Sequence, residues 1–266
     1  MGGRDMRLKT VLWAAITFAV LAYLIAPIAV LIYSAFDDGK FFRFPPRELS
    51  LRWFREALAS PEYRSAVLNS TILATIASVL SVAFGLMAAL GLTRGPLRSR
   101  PIVEILLLAP LTLPLVVWAI ALMQIYARLG LSGSVGGLIL AHTIITLPLS
   151  VRILMATLSN IDPNLEDAAR SLGARPLRAF ARTTLPLAMP GVLTSAAFCF
   201  LISFNDVVVT TFIAGASWMT FPVRMYSQLR GQGVDPITLA IGAMIVALIL
   251  VIVALGEARF KWSRRL

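Results

Sequence analysis

Apolar residues in this chain fall into long runs separated by short polar segments. Six such runs cover approximately 11–35, 67–92, 102–126, 136–158, 191–214 and 237–255. The hydrocarbon core of a bilayer is about 30 Å thick, so a spanning helix needs roughly 20 apolar residues at about 1.5 Å each. The pattern therefore predicts an all-α membrane protein with six transmembrane helices. The first run follows Arg4, Arg7 and Lys9, as a secretory signal would. It is longer than the apolar region of a signal, and no small-residue cleavage pattern closes it, so it reads as a retained span.

Prolines punctuate these runs. Pro27 lies in the first, Pro110 and Pro114 in the third, and Pro148 in the fourth. Each removes a backbone donor and crowds the preceding turn, which predicts kinks. Kinks at membrane depth are found in transporters, but also in static membrane helices. No run carries a strict GxxxG seam, and no internal repeat of the secondary-transporter kind is evident.

Composition agrees with the pattern. Of 266 residues 58% are hydrophobic and only 14% charged, too little polar surface to cover a soluble globule of this apolar content. The formal charge of +11 would point to nucleic acid in a soluble protein; here its distribution between the loops explains it. One cysteine, Cys199, excludes an internal disulfide framework, and one histidine, His142, argues against a His-based metal site or dyad. With the N-terminus cytoplasmic, the inside segments hold 15 Lys and Arg against six acids, and the outside segments nine against six. The positive-inside rule thus predicts both ends in the cytoplasm.

Two outside segments are amphipathic: one around Leu51, Trp53, Phe54 and Leu58, and a looser one over 218–229 with Phe221, Met225 and Tyr226. Interfacial anchoring is the plain reading, and a docking surface for an external partner the sharper one. Tyr126 and Trp262 suit interfacial belts, Arg152 suits a snorkelling cation, and Cys199 a small buried residue.

The most informative polar segment is the inside loop of about 159–190. Asp162 and Pro163 suit an N-cap and first helical position, and Glu166 and Asp167 suit the first turn. Gly173 suits a left-handed stop, Pro176 a second short helix, and Leu185-Pro186 its end. The prediction is a helix–glycine–helix elbow, with Ala168 and Ala169 leaving a small patch for close protein packing. The alternative is a basic segment lying on anionic lipid.

Asp167-Ala168-Ala169, three residues, Gly173, nine residues, Thr183, one residue, then Leu185-Pro186 resembles the EAA loop of ABC-importer permeases. Asp167 stands where that motif has Glu, and Thr183 where it has Ile. The stretch from Ser203 to Phe212, followed by 221–227, is similar to the C-terminal half of the spermidine/putrescine permease subunits. The resemblance implies a single transmembrane permease domain over 1–266 in a bacterial inner membrane. It implies a second permease subunit, often non-identical, two copies of a cytoplasmic ATPase and a periplasmic solute-binding protein, with no nucleic acid. Glu166, Asp167, Ala168, Ala169, Leu172, Gly173, Leu185 and Pro186 would then form the coupling surface. No G-x-x-x-x-G-K-[ST] phosphate loop occurs, so ATP hydrolysis is expected in a separate subunit and no cofactor or metal in this one.

Asp206 is the acid deepest in an apolar run, roughly 22 Å along the fifth. An ionised group there needs a cavity or a partner. One reading makes Ser203, Asn205 and Asp206 line the path of a cationic solute; the other makes Asp206 an interhelical partner. His142, with Thr143 and Thr146 nearby, reads as a packing histidine in preference to a proton relay. The rivals to the whole picture are a self-contained secondary transporter or channel, an ABC permease for a non-polyamine solute, and a non-transporting scaffold.

Overall fold

The structure is a computed structural model and describes residues 2–40, 43–96, 98–215, 218–231, 233 and 235–260. Lys261, Trp262, Arg264 and Arg265 lie outside the described residues. Among those described, every regular element is helical: α1 (Gly2–Ser34), α2 (Arg52–Ala59), α3 (Pro61–Arg94), α4 (Arg100–Leu108), α5 (Leu115–Leu129), α6 (Val135–Ser159), α7 (Asn164–Ser171), α8 (Pro176–Arg182), α9 (Thr184–Asn205), α10 (Val208–Ile213), α11 (Phe221–Gly231) and α12 (Pro236–Phe260). This follows from the solvent, since helices satisfy their own backbone groups where water is absent.

Among the described residues, four helices are long and apolar enough to cross a membrane: Lys9–Ser34 within α1, then α3, α6 and α9. α4 and α5 reach that length only as a pair, bent by 101° at the break between them. The apolar part of α12, Pro236–Val251, is shorter.

The third run is therefore broken rather than kinked, a correction to the continuous helix expected over 102–126. Pro110 sits in a 3₁₀ turn (Ala109–Leu111), and Pro114 is extended, with ψ 134°, just before α5. Two missing donors four residues apart leave no ladder to carry the helix through. The Thr112 amide and hydroxyl both donate to the Ala109 carbonyl, at 3.0 and 2.8 Å, closing the short turn between the two prolines. Single prolines behave differently: α1, α6 and α9 run through Pro27, Pro148 and Pro190. The fifth run also departs from expectation. It starts at Thr184, seven residues before 191, and breaks after Asn205, so that α10 is a separate helix.

The chain forms two compact units, Met1–Arg64 with Ser227–Leu266, and Ser65–Tyr226. In the first, α12 packs on α1 and α2. Trp53 and Ala57 are the buried face of α2, and the Trp53 indole donates to the Gly39 carbonyl at 3.1 Å. Phe54 meets Phe36, while Leu51 and Leu58 stay exposed. Glu56, hydrogen-bonded to Arg52, raises that guanidinium above its ordinary pKa. The Tyr63 hydroxyl is gathered with Gln228, Asp235 and Thr238.

In the second unit α6 is central, packed on α9, α4 and α10. Leu73, Leu122, Tyr126, Leu138, Ile145, Val209 and Ile213 form one core cluster, and Ala89, Leu154, Leu158 and Ala188 another. Tyr126 is thus a core residue and not part of an interfacial belt. It follows Ala119 and Leu122 on the face of α5 that turns inward. Close approach is built in at two glycines. A Cβ on Gly85 would lie 2.3 Å from Ser150 Oγ, and one on Gly191 would lie 2.0 Å from Thr157 Oγ1. Lipid is as apolar as leucine, so contact and hydrogen bonding, rather than burial from water, hold such helices together.

Candidate functional site

The 160–190 segment folds as an elbow. The Asp162 carboxylate accepts from the Asn164 amide at 2.9 Å, a capping bond although the helix is bounded one residue later than expected. Glu166 and Asp167 occupy the first turn of α7. Gly173 has φ +90°, which L side chains rarely adopt, and its amide donates to the Arg170 carbonyl at 2.9 Å. Pro176 opens α8. Leu185-Pro186 does not end α8, which stops at Arg182. These residues lie in the first turn of α9, where a proline needs no amide donor.

The elbow exposes its apolar side chains. Leu172 is 91% exposed and Leu177 84%, one on each side of the glycine, and Leu165 is exposed as well. Asp167, Ala168 and Gly173 are exposed, whereas Ala169 and Leu185 are half-buried. Asp167 has only the exposed Arg170 at 3.6 Å, a pair worth little in water. Glu166 instead turns inward. Its carboxylate accepts from the Arg94 guanidinium and from the Thr184 hydroxyl, and Arg94 Nη1 also lies 3.3 Å from that hydroxyl. Leu177 and Arg94 escaped the sequence reading. A leucine four residues beyond the glycine was the available signal for the first; nothing local marks the second.

The second candidate region is buried. His142 of α6 is fully enclosed, and both ring nitrogens are engaged: Nδ1 lies 2.8 Å from Ser203 Oγ and Nε2 3.0 Å from Thr210 Oγ1. Asp206 is 6% exposed and occupies the break between α9 and α10. Its Oδ1 accepts from the Val209 amide at 3.3 Å, and its Oδ2 from the Thr210 amide at 2.8 Å and the Thr210 hydroxyl at 3.0 Å. An ionised Asp206 beside a neutral His142 assigns one direction to the chain. Thr210 donates to Asp206, His142 Nε2–H donates to Thr210, and Nδ1 is left to accept from Ser203. The three predicted path residues thus divide. Ser203 and Asp206 are buried in this cluster, whereas Asn205 is exposed, its amide donating to the Leu201 carbonyl at 2.9 Å.

Hydroxyl groups continue along α6 and α9 and reach α3. Ser195 Oγ donates to Ser150 Oγ at 2.8 Å, Ser81 Oγ lies 2.7 Å from Thr146 Oγ1, and Cys199 Sγ approaches the Thr146 carbonyl at 3.6 Å. Ser81, Ser150, Ser195 and Thr210 were not singled out from sequence. The signal was present in α9, where Ser195, Cys199 and Ser203 recur every four residues.

A helical membrane body with broken helices and a projecting elbow defines the class: a membrane component of a transport system. Residues 81–261 match the family described as binding-protein-dependent transport system inner membrane component, and the chain belongs to that family. It is a transport subunit rather than an enzyme. The spermidine/putrescine transport system permease protein PotC of Haemophilus influenzae is 29% identical, over 91% of this chain and 94% of that protein. The osmoprotective compounds uptake permease protein GgtD of Synechocystis is 32% identical, over 78% of this chain and 70% of that one. Among solved structures, a bacterial ABC transporter involved in import of the acidic polysaccharide alginate superposes with a TM-score of 0.73. That match covers 97% of this chain and 98% of the other at 16% identity, a likeness of fold.

Proposed function

We propose that this chain is the membrane-spanning permease subunit of an ATP-driven importer and forms half of the translocation pathway for a small cationic solute of the polyamine class. Its six spans would be α1, α3, the bent α4–α5 pair, α6, α9 with α10, and α12, with both termini cytoplasmic. A second, homologous permease would complete the pathway. Two cytoplasmic ATPase subunits would drive it, and a periplasmic binding protein would deliver the solute. The 160–190 elbow is the coupling segment, with Glu166, Asp167, Ala168, Ala169, Leu172, Gly173, Leu185 and Pro186 as its working residues.

The observation that carries this reading is the exposed pair Leu172 and Leu177 on either side of a left-handed glycine. Two leucines held in water on a short, turned segment favour a protein groove as their destination. The similarity to PotC favours a polyamine, and the similarity to GgtD favours an osmoprotective compound as the second reading. On the solute path, exposed Asn205 is the side chain available to a solute, with Ser203 and Asp206 holding the α9–α10 break behind it.

The test is reconstitution of the chain with the second permease, the ATPase and the binding protein, followed by labelled spermidine and putrescine uptake. Uptake should need ATP and should be lost in Gly173→Pro, since proline cannot take φ +90°. Transport by the chain without any ATPase would overturn the proposal. Failure of polyamines with success of an osmolyte would replace the solute alone.

A further inference from the structure

We infer that Arg94 is a positioning residue, which clamps the elbow to the ends of α3 and α9 so that these helices move with it. The inference rests on the elbow being the ATPase contact. A lever transmits motion only if it is fixed to what it moves, and α7 has little with which to fix itself. It is eight residues long and buries none of them, and a helix that short is not stable alone. Its neighbouring acids divide the work. Asp167 faces water, its side chain 69% exposed, while the Glu166 side chain is only 22% exposed and turned toward the body of the second unit.

There Glu166 meets Arg94, the last residue of α3, and Thr184, the first residue of α9. One carboxylate thus joins elements 72 and 18 positions away in sequence. Arg94 closes the triangle by reaching both Glu166 and the Thr184 hydroxyl through Nη1. Its own side chain is 21% exposed, so the pair is screened less than a surface one. Both contacts run through Nη1, and Nη2 is buried without a hydrogen-bond partner, so the position calls for a cation of this reach more than for a two-pronged fork.

A clamp of this kind affects the exchange of hydrolysis for transport more than either process alone. The complete transporter is assembled in liposomes with wild type, Arg94→Gln, Arg94→Lys, and the charge-swapped pair Arg94→Glu with Glu166→Arg. Solute uptake and phosphate release are measured on the same preparation. Arg94→Gln should lower solute moved per ATP hydrolysed by about tenfold, Arg94→Lys should fall between, and the swapped pair should recover most of the ratio. A wild-type ratio in Arg94→Gln would overturn the inference. So would a proportional fall of uptake and hydrolysis that the swapped pair does not repair. Should Arg94→Gln fail to assemble, Glu166→Gln, which removes the charge from the other side of the pair, decides by the same ratio, a wild-type value counting against the clamp. A wild-type complex that transports without the ATPase would instead sink the reading of the elbow, a separate result.

Discussion

His142 and Asp206 stand 3.7 Å apart, nitrogen to oxygen, with the Thr210 hydroxyl bonded to both. Side chains of α6, α9 and α10 thus meet at the point where the backbone ladder is interrupted between α9 and α10. The first prediction follows. Thr210→Val keeps the shape of the side chain and removes the hydroxyl link, leaving His142 Nε2 and Asp206 each short of a partner. An unsatisfied buried polar group costs about 1–3 kcal/mol. Thermal unfolding in detergent should show Thr210→Val destabilised, and the exposed Asn205→Ala near wild type. Equal transition temperatures for the two would remove the importance given to this cluster.

Gly191 packs its α-carbon against Thr157, whose hydroxyl is tied to the Ile153 carbonyl at 2.9 Å and is not free to swing aside. Gly191→Ala should therefore cost about 1–3 kcal/mol by overpacking. Thr157→Gly made in the same chain should return most of it. A double-mutant cycle with no coupling energy would show that α6 and α9 do not meet as described.

Leu172 and Leu177 make almost no contact within the chain. Replacing both by Ser should leave the unfolding transition of the isolated subunit within about 0.5 kcal/mol of wild type, while co-purification of the ATPase is lost. Retention of the ATPase at wild-type level would place its contact elsewhere.

At Gly173 a Cβ would meet nothing within 4 Å, so the cost of a side chain there is one of backbone conformation alone. Gly173→Ala should weaken coupled transport in proportion to a strain of roughly 1–2 kcal/mol. Gly173→Asn, which tolerates the left-handed region better, should do less harm. The order alanine below asparagine below glycine in uptake rate is the measurement to make.

The sole cysteine, Cys199, is buried, so Leu172→Cys offers one accessible thiol. With the proposed orientation, a membrane-impermeant maleimide should label it in inside-out vesicles and not in right-side-out ones.

Length and hydrophobicity told correctly of a helical membrane protein, because both answer to the thickness of the bilayer. The elbow was also readable: Asp162, Gly173 and Pro176 are local signals, each acting through its own backbone. What sequence could not supply were the consequences of meeting other helices. Pro110 and Pro114 predicted a disturbance, but whether two such defects kink a helix or break it depends on the neighbours available to satisfy the freed carbonyls. Leu185-Pro186 looked like an ending and proved to be a beginning, since proline serves both roles and only the next helix decides. The inward placement of Tyr126, the partners of Asp206 and the reach of Arg94 to Glu166 are all long-range matters.

Every residue of α1 from Lys9 to Ala29 is exposed, and α1 falls outside the residues 81–261 that carry the family match. Positions whose side chains are exposed over so long a stretch answer mainly to whatever surrounds the chain, lipid or another subunit. Over evolutionary time they are free to exchange one apolar residue for another, so long as the total hydrophobicity still holds the segment in the bilayer. A mutational scan would find there a broad tolerance that ends abruptly at the first charge, unlike the enclosed surroundings of His142, where even the loss of a single hydroxyl should be felt.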